Sequence, residues 1–220
     1  MRLKILFLTL AGFSIFLYTL VARGATVVGS KHDLSTPSTN EPCAFCHTPH
    51  FANISIAAPL WNRSIGNVTF QMYSSTTIDT TIPGVPSGVS LACLGCHDGV
   101  NSANDKHDLR NAPGPGGMPD QSSWPNCERC HPEYYGGGGP VNWLGTDLKN
   151  DHPISMSYPT PAQDPGFFTP PDPQKGWSDV PLYNGKIECP SCHNVHDPSH
   201  SPFLRISNAG SALCYKCHNK

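Results

Sequence analysis

Charge is scarce in this chain. Asp, Glu, Lys and Arg together make up 14% of its 220 residues, and no tract of basic residues occurs. That argues against a nucleic-acid partner, because phosphate binding needs clustered Lys and Arg. Long amphipathic stripes are missing too. The 23 prolines and 20 glycines amount to about a fifth of the residues, which interrupts helices and strands and leaves little from which to build a large side-chain core. Small units of this composition depend on a staple: a metal, a cofactor or disulfides.

The N-terminus departs from this pattern. Arg2 and Lys4 precede an almost unbroken apolar run over residues 5–21, followed by Ala22-Arg23-Gly24. A basic start, an apolar centre and small residues at the cleavage positions describe an export signal, here residues 1–24 with the cut after Gly24. The competing reading is an uncleaved membrane anchor, but the run falls just short of the usual span of about 18–20 residues. No cysteine directly follows it, which argues against a lipid anchor at this point. Removal of Arg2, Lys4 and Arg23 leaves 11 basic against 16 acidic residues, a formal charge of −5.

Cysteine is abundant, and no cysteine lies outside a C-x-x-C-H pentapeptide. The ten fall in Cys43-Ala44-Phe45-Cys46-His47, Cys93-Leu94-Gly95-Cys96-His97, Cys127-Glu128-Arg129-Cys130-His131, Cys189-Pro190-Ser191-Cys192-His193 and Cys214-Tyr215-Lys216-Cys217-His218. This spacing is the attachment pattern for c-type haem. Two thiols one helical turn apart reach the two vinyl groups of one porphyrin, and the next imidazole faces the iron from the same side. A zinc ribbon needs two C-x-x-C knuckles per metal, so five is an odd number for it. A thioredoxin-type site needs one such motif beside a βαβ pattern, which is not found here. A disulfide scaffold has no use for a histidine after every second cysteine. Five covalently bound haem c groups are therefore expected, attached outside the cytoplasm, with the thiols consumed as thioethers.

Eleven histidines less the five proximal ones leave His32, His50, His107, His152, His196 and His200. Five irons need five distal ligands, so one histidine for every iron is available. Methionine is the rival ligand and raises the potential, but only Met72, Met118 and Met156 follow the signal. Bis-histidine, low-potential haems are expected throughout. His32, His107 and His152 each sit upstream of a haem motif and each is followed two residues later by Leu or Ile. His50 and His196 each lie three residues after a proximal histidine. Residues at i and i+3 share one side of a turn, whereas the two ligands of one iron approach from opposite faces. His50 is thus expected on a different haem from His47, and His196 on a different haem from His193. His200 is the spare.

The motifs repeat without a fixed period. A weak duplication pairs the first part (His32, the 43–47 motif, His50, Leu60 to Arg63, Ser90 before Cys93) with the last (His152, the 189–193 motif, His196, Leu204-Arg205, Ser211 before Cys214). The organisation reads as residues 1–24 signal, 25–100 first haem pair, 101–135 single-haem segment, and 136–220 a Gly/Pro-rich linker with the second pair. The expected fold is a haem-cored multihaem cytochrome c, mostly irregular, with short α-helices at the haem motifs and a small β-hairpin over the alternating stretch 68–82. Ser90 and Ser211 are candidate helix caps. Trp61, Trp124, Trp143, Trp177, Phe167 and Phe168 are candidates to pack on porphyrin. Asn53, Asn62 and Asn67 form sequons, of use only where the host glycosylates.

The C-x-x-C-H-x-x-H … S-x-x-C-x-x-C-H arrangement resembles the paired (doubled) CXXCH family of multihaem cytochromes c, over residues 43–97 and 189–218. The resemblance implies an electron carrier rather than an enzyme, working in periplasmic or extracellular respiration with redox partner proteins or an extracellular acceptor. It also raises the alternative of a homo-oligomer, a subunit of an extracellular cytochrome filament. A multihaem reductase is the less favoured reading: pentahaem nitrite reductases use a C-x-x-C-K motif, which does not occur here. A haem storage or sensing module is the remaining reading.

Overall fold

The computed structural model describes residues 26–35, 41–63, 65–98 and 144–219. The proposed signal, the 127–131 motif, His107, Trp124, Trp143 and Met118 lie outside them. Regular structure is sparse. In chain order the described residues form α1 (Ser90–His97), β1 (Met156–Ser157), β2 (Lys186–Ile187) and α2 (Cys189–Cys192), with 3₁₀ turns at Ala209–Ser211 and Cys214–Lys216. β1 and β2 pair antiparallel, with Met156 opposite Ile187 and Ser157 opposite Lys186. Among the described residues no helix is long and apolar enough to cross a membrane.

The 68–82 stretch does not fold back on itself as a hairpin. Its backbone groups pair outward instead: Leu148 N–H donates to the Gln71 carbonyl at 2.8 Å, Gln71 N–H to Thr146 at 2.8 Å, and Ser157 N–H to Thr81 at 3.1 Å. Alternating Thr, Val and Ile describe an extended, half-buried segment, and here distant loops supply the partners.

Two small apolar clusters lie among the described residues. Phe70, Leu94 and Leu148 form one, with Val68, Met72 and Ile154 against it. Met156, Leu182 and Ile187 form the other, with Ile82 and Tyr158 against it. Both methionines in the described region thus serve packing. Neither cluster approaches the core of an ordinary domain of this length, which accords with the proline and glycine content.

The helix caps differ from the serine expectation. α1 starts at Ser90 itself, with Val89 at the cap position and no side-chain cap bond. The Ser90 hydroxyl is committed elsewhere, to Glu188. Near Ser211 the capping acceptor is Asn208, whose Oδ1 takes the Leu213 N–H at 3.2 Å. α2 is closed by a capping box between Glu188 and Ser191, with a proline in its first turn, a position that needs no backbone donor.

Leu94 is fully buried at the centre of the first cluster. Leu94→Ala is expected to destabilise the haem-loaded protein by about 2–5 kcal/mol, read as a fall in melting temperature. With all ten cysteines changed to serine, circular dichroism is expected to show no cooperative melt, because two clusters of this size cannot offset the backbone entropy alone.

Candidate haem-binding site

Each described C-x-x-C-H motif is a single helical turn. His47 N–H donates to the Cys43 carbonyl at 2.9 Å, His193 to Cys189 at 3.1 Å and His218 to Cys214 at 2.9 Å. The 93–97 motif forms the C-terminal part of α1. One turn places the cysteines at i and i+3 on the same side, so both sulfurs face one surface beside the imidazole. Among the described residues no two cysteines form a disulfide. Burial raises the pKa values of Cys46, Cys96 and Cys192 and pushes Cys217 up to about 11.

The 43–62 and 189–205 segments repeat one another bond for bond. Thr48 N–H donates to Leu60 at 2.8 Å, and Asn194 N–H to Phe203 at 2.7 Å. Asn62 N–H donates to Cys46 at 2.9 Å, and Arg205 N–H to Cys192 at 2.9 Å. The Asn62 side-chain amide donates to the Ala44 carbonyl at 2.9 Å, and Arg205 Nε to Pro190 at 2.5 Å. Leu60 and Phe203 share positive φ angles of 51° and 61°. The structural register sets Trp61 opposite Leu204 and Asn62 opposite Arg205, not Arg63 opposite Arg205.

In both repeats the returning loop orients the imidazole. The His47 Nδ1 pairs with the Pro59 carbonyl at 2.6 Å and the His193 Nδ1 with Pro202 at 3.0 Å. His152 Nδ1 likewise meets the Pro153 carbonyl at 3.0 Å. A carbonyl can only accept, so Nδ1 carries the proton and the Nε2 lone pair remains free for a metal.

Among the described residues three pairs of imidazoles approach one another. Ring centroids are 6.2 Å apart for His47 and His196, with planes 19° apart. They are 6.1 Å apart for His32 and His97, at 50°, and 6.4 Å for His152 and His218, at 67°. Two metal–nitrogen bonds of about 2.0–2.1 Å, with an imidazole radius of about 1.1 Å at each end, put the centroids about 6.3 Å apart. The gaps therefore fit one ion between two rings. Burial, then the nearby His97, His193 and His196, push the His32 pKa down to about 4. His196 is lowered by burial, then by His47 and Arg205. In both rings burial thus favours the neutral form, the form that binds metal. Aromatic rings line the pairs: Trp61 is edge-on to His47 at 6.2 Å, Phe203 to His32 at 4.5 Å, and Phe167 lies 4.5 Å from His218. Trp177 instead packs on Tyr158, and Phe168 is largely exposed.

His50 is exposed, and its ring and that of His193 meet no other imidazole among the described residues. His107, Cys127, Cys130 and His131 lie outside those residues. The described side chains include no group of three or more His, Cys, Asp and Glu placed to hold an ion. Facing imidazole pairs are what they offer a metal, and a porphyrin supplies the four equatorial nitrogens that such a pair lacks.

Residues 181–220 match the family model of the doubled CXXCH motif. The motif pair within them attaches c-type haem. No curated protein matches the chain. The match covers the second pair, residues 189–193 and 214–218. The first pair carries the same C-x-x-C-H turn, and its 43–62 segment the hydrogen-bond pattern of 189–205 described above. A haem held there through thioethers would supply a redox-active iron. The chain's own part is to tether it, orient the imidazoles and exclude water.

One feature of the haem-binding segments is invisible in the motifs. The carboxylate of Glu188, 2% exposed, accepts hydrogen bonds from the hydroxyls of Ser90 and, at 3.0 Å, Ser155. Gly88 lies against it at φ +60°, where a Cβ would come within 2.8 Å of Oε1. The only local signal is a glutamate directly before Cys189, and its partners lie 98 and 33 residues away.

Burial raises the Glu188 pKa above its ordinary value, outweighing the two serine bonds and Lys186. The folded state then holds this proton more tightly than the unfolded state does. Stability contributed by the protonated form is complete below the unfolded value of about 4.3 and declines as pH rises through the folded value. Glu188→Gln, which keeps an oxygen for both hydroxyls, is expected to flatten this decline in urea melts of the haem-loaded protein from about pH 4 upward. Melts of the variant and wild type that run parallel across that range would contradict it.

Proposed function

We propose that this chain is an exported pentahaem cytochrome c that transfers electrons between closely spaced bis-histidine haems. The observation that carries this is the set of three imidazole pairs with centroids 6.1–6.4 Å apart, each containing one histidine from a C-x-x-C-H turn and one from elsewhere. His47 with His196, His97 with His32, and His218 with His152 are the proposed axial pairs. Cys43, Cys46, Cys93, Cys96, Cys189, Cys192, Cys214 and Cys217 tether four of the groups, and Cys127 and Cys130 with His131 and His107 serve the fifth.

Two imidazoles on one iron, as proposed for each of these pairs, leave no open position, which disfavours substrate chemistry at the metal and favours electron exchange. The protein's work is to fix spacing, ligands and local dielectric. Little rearrangement accompanies the change of charge, because the proximal ligand is anchored by backbone: the ring by its helical turn and, in two motifs, its Nδ1 by a proline carbonyl. The periplasm or the cell exterior is the proposed setting, with redox proteins or an extracellular acceptor as partners.

Intact-mass analysis of the secreted protein is expected to exceed the processed polypeptide by five haem groups, and a colourless product would contradict the proposal. His196→Ala is expected to turn about one haem in five high-spin in the ferric electron paramagnetic resonance spectrum, while His200→Ala leaves every haem low-spin. Low-spin signals unchanged by His196→Ala would remove His196 from the ligand set.

A further inference from the structure

The described attachment segments converge on one of their number. α2 packs against α1. The Cys189 N–H donates to Ser90 Oγ at 2.9 Å, and the Ser90 hydroxyl donates in turn to the Glu188 carboxylate. These bonds weld the start of the 189–193 motif to the helix carrying the 93–97 motif. Groups tethered at Cys93 and Cys189 would therefore be neighbours.

The same segment meets a second motif through its far end. His196 follows His193 by three residues, across a turn closed by the Asp197 N–H on the Asn194 carbonyl at 2.9 Å, and its ring centroid lies 6.2 Å from that of His47. Three residues of chain span at most about 11 Å. The groups facing His193 and His47 would therefore be gripped by one short piece of backbone.

We infer that residues 189–193 form a junction of the haem array: the group they carry lies beside those on residues 43–47 and 93–97. Sequence order is then not path order. Two groups from the first half of the chain meet one from the last, across the 91 residues that separate His97 from Cys189. Each transfer at the junction oxidises one haem and reduces its neighbour by one electron, with no bond or proton change. The inference rests on the haem attachment proposed above and goes beyond it in naming the neighbours.

The test uses the loaded, full-length protein reduced to its diamagnetic ferrous state and labelled with ¹³C and ¹⁵N. Haem proton resonances are assigned from their contacts with the β-protons of their own cysteines, and nuclear Overhauser contacts between haems are then recorded. The haem assigned to Cys189 and Cys192 is expected to show contacts to both the haem of Cys43/Cys46 and the haem of Cys93/Cys96. Contacts to a single neighbour would overturn the junction. Intact mass on the same sample separates the two levels: a sample lacking the added groups refutes attachment itself, whereas a loaded sample with one neighbour refutes the junction alone.

Discussion

A gap sized for one metal ion between two imidazole rings is the constraint on which the rest of this structure depends. It sets where a loop returns, because the Pro59 carbonyl must reach the Nδ1 of His47 to turn Nε2 toward the gap. It also sets which distant segments meet, because the ring facing His47 belongs to the last third of the chain. Hydrophobic burial is secondary. Two clusters of three buried residues each contribute at most several kcal/mol apiece by the usual value per buried side chain, against a backbone entropy cost of about 1–2 kcal/mol for every ordered residue.

The duplicated segments show how little sequence such a site needs. Residues 43–62 and 189–205 share their cysteines and two histidines, yet their loops differ in length and composition. Nδ1 of the proximal histidine finds a carbonyl 12 residues on in one and 9 residues on in the other. What persists is backbone: the turn, the returning carbonyl, and a residue of positive φ at Leu60 or Phe203. Asn62 and Arg205, chemically unlike, each donate to a carbonyl inside the cysteine turn. Their shared requirement is a side-chain N–H of suitable reach, which residue identity alone does not reveal.

This explains which parts of the molecule were legible in its sequence. The attachment chemistry was, because a covalent tether requires fixed residue types at fixed spacing, and Cys189 to His218 carry it within the matched family segment. The scarcity of regular elements was legible from proline and glycine. The hairpin over 68–82 was misread, because local alternation specifies an extended strand but not its partner, and here Thr146, Leu148 and Ser157 take that role. Ser90 was misread as a cap for a similar reason. Its hydroxyl is engaged by a glutamate 98 residues away, a contact that exists only because α1 and α2 meet. The duplication's register slipped by one residue at Arg63 and Arg205 because the two loops differ by three residues.

Iron-edge anomalous diffraction from crystals of the loaded protein tests the central claim most directly. Iron peaks midway between His47 and His196, between His32 and His97, and between His152 and His218 are the expected result. Peaks displaced from these midpoints, or rings of a pair bound to two different irons, would contradict it.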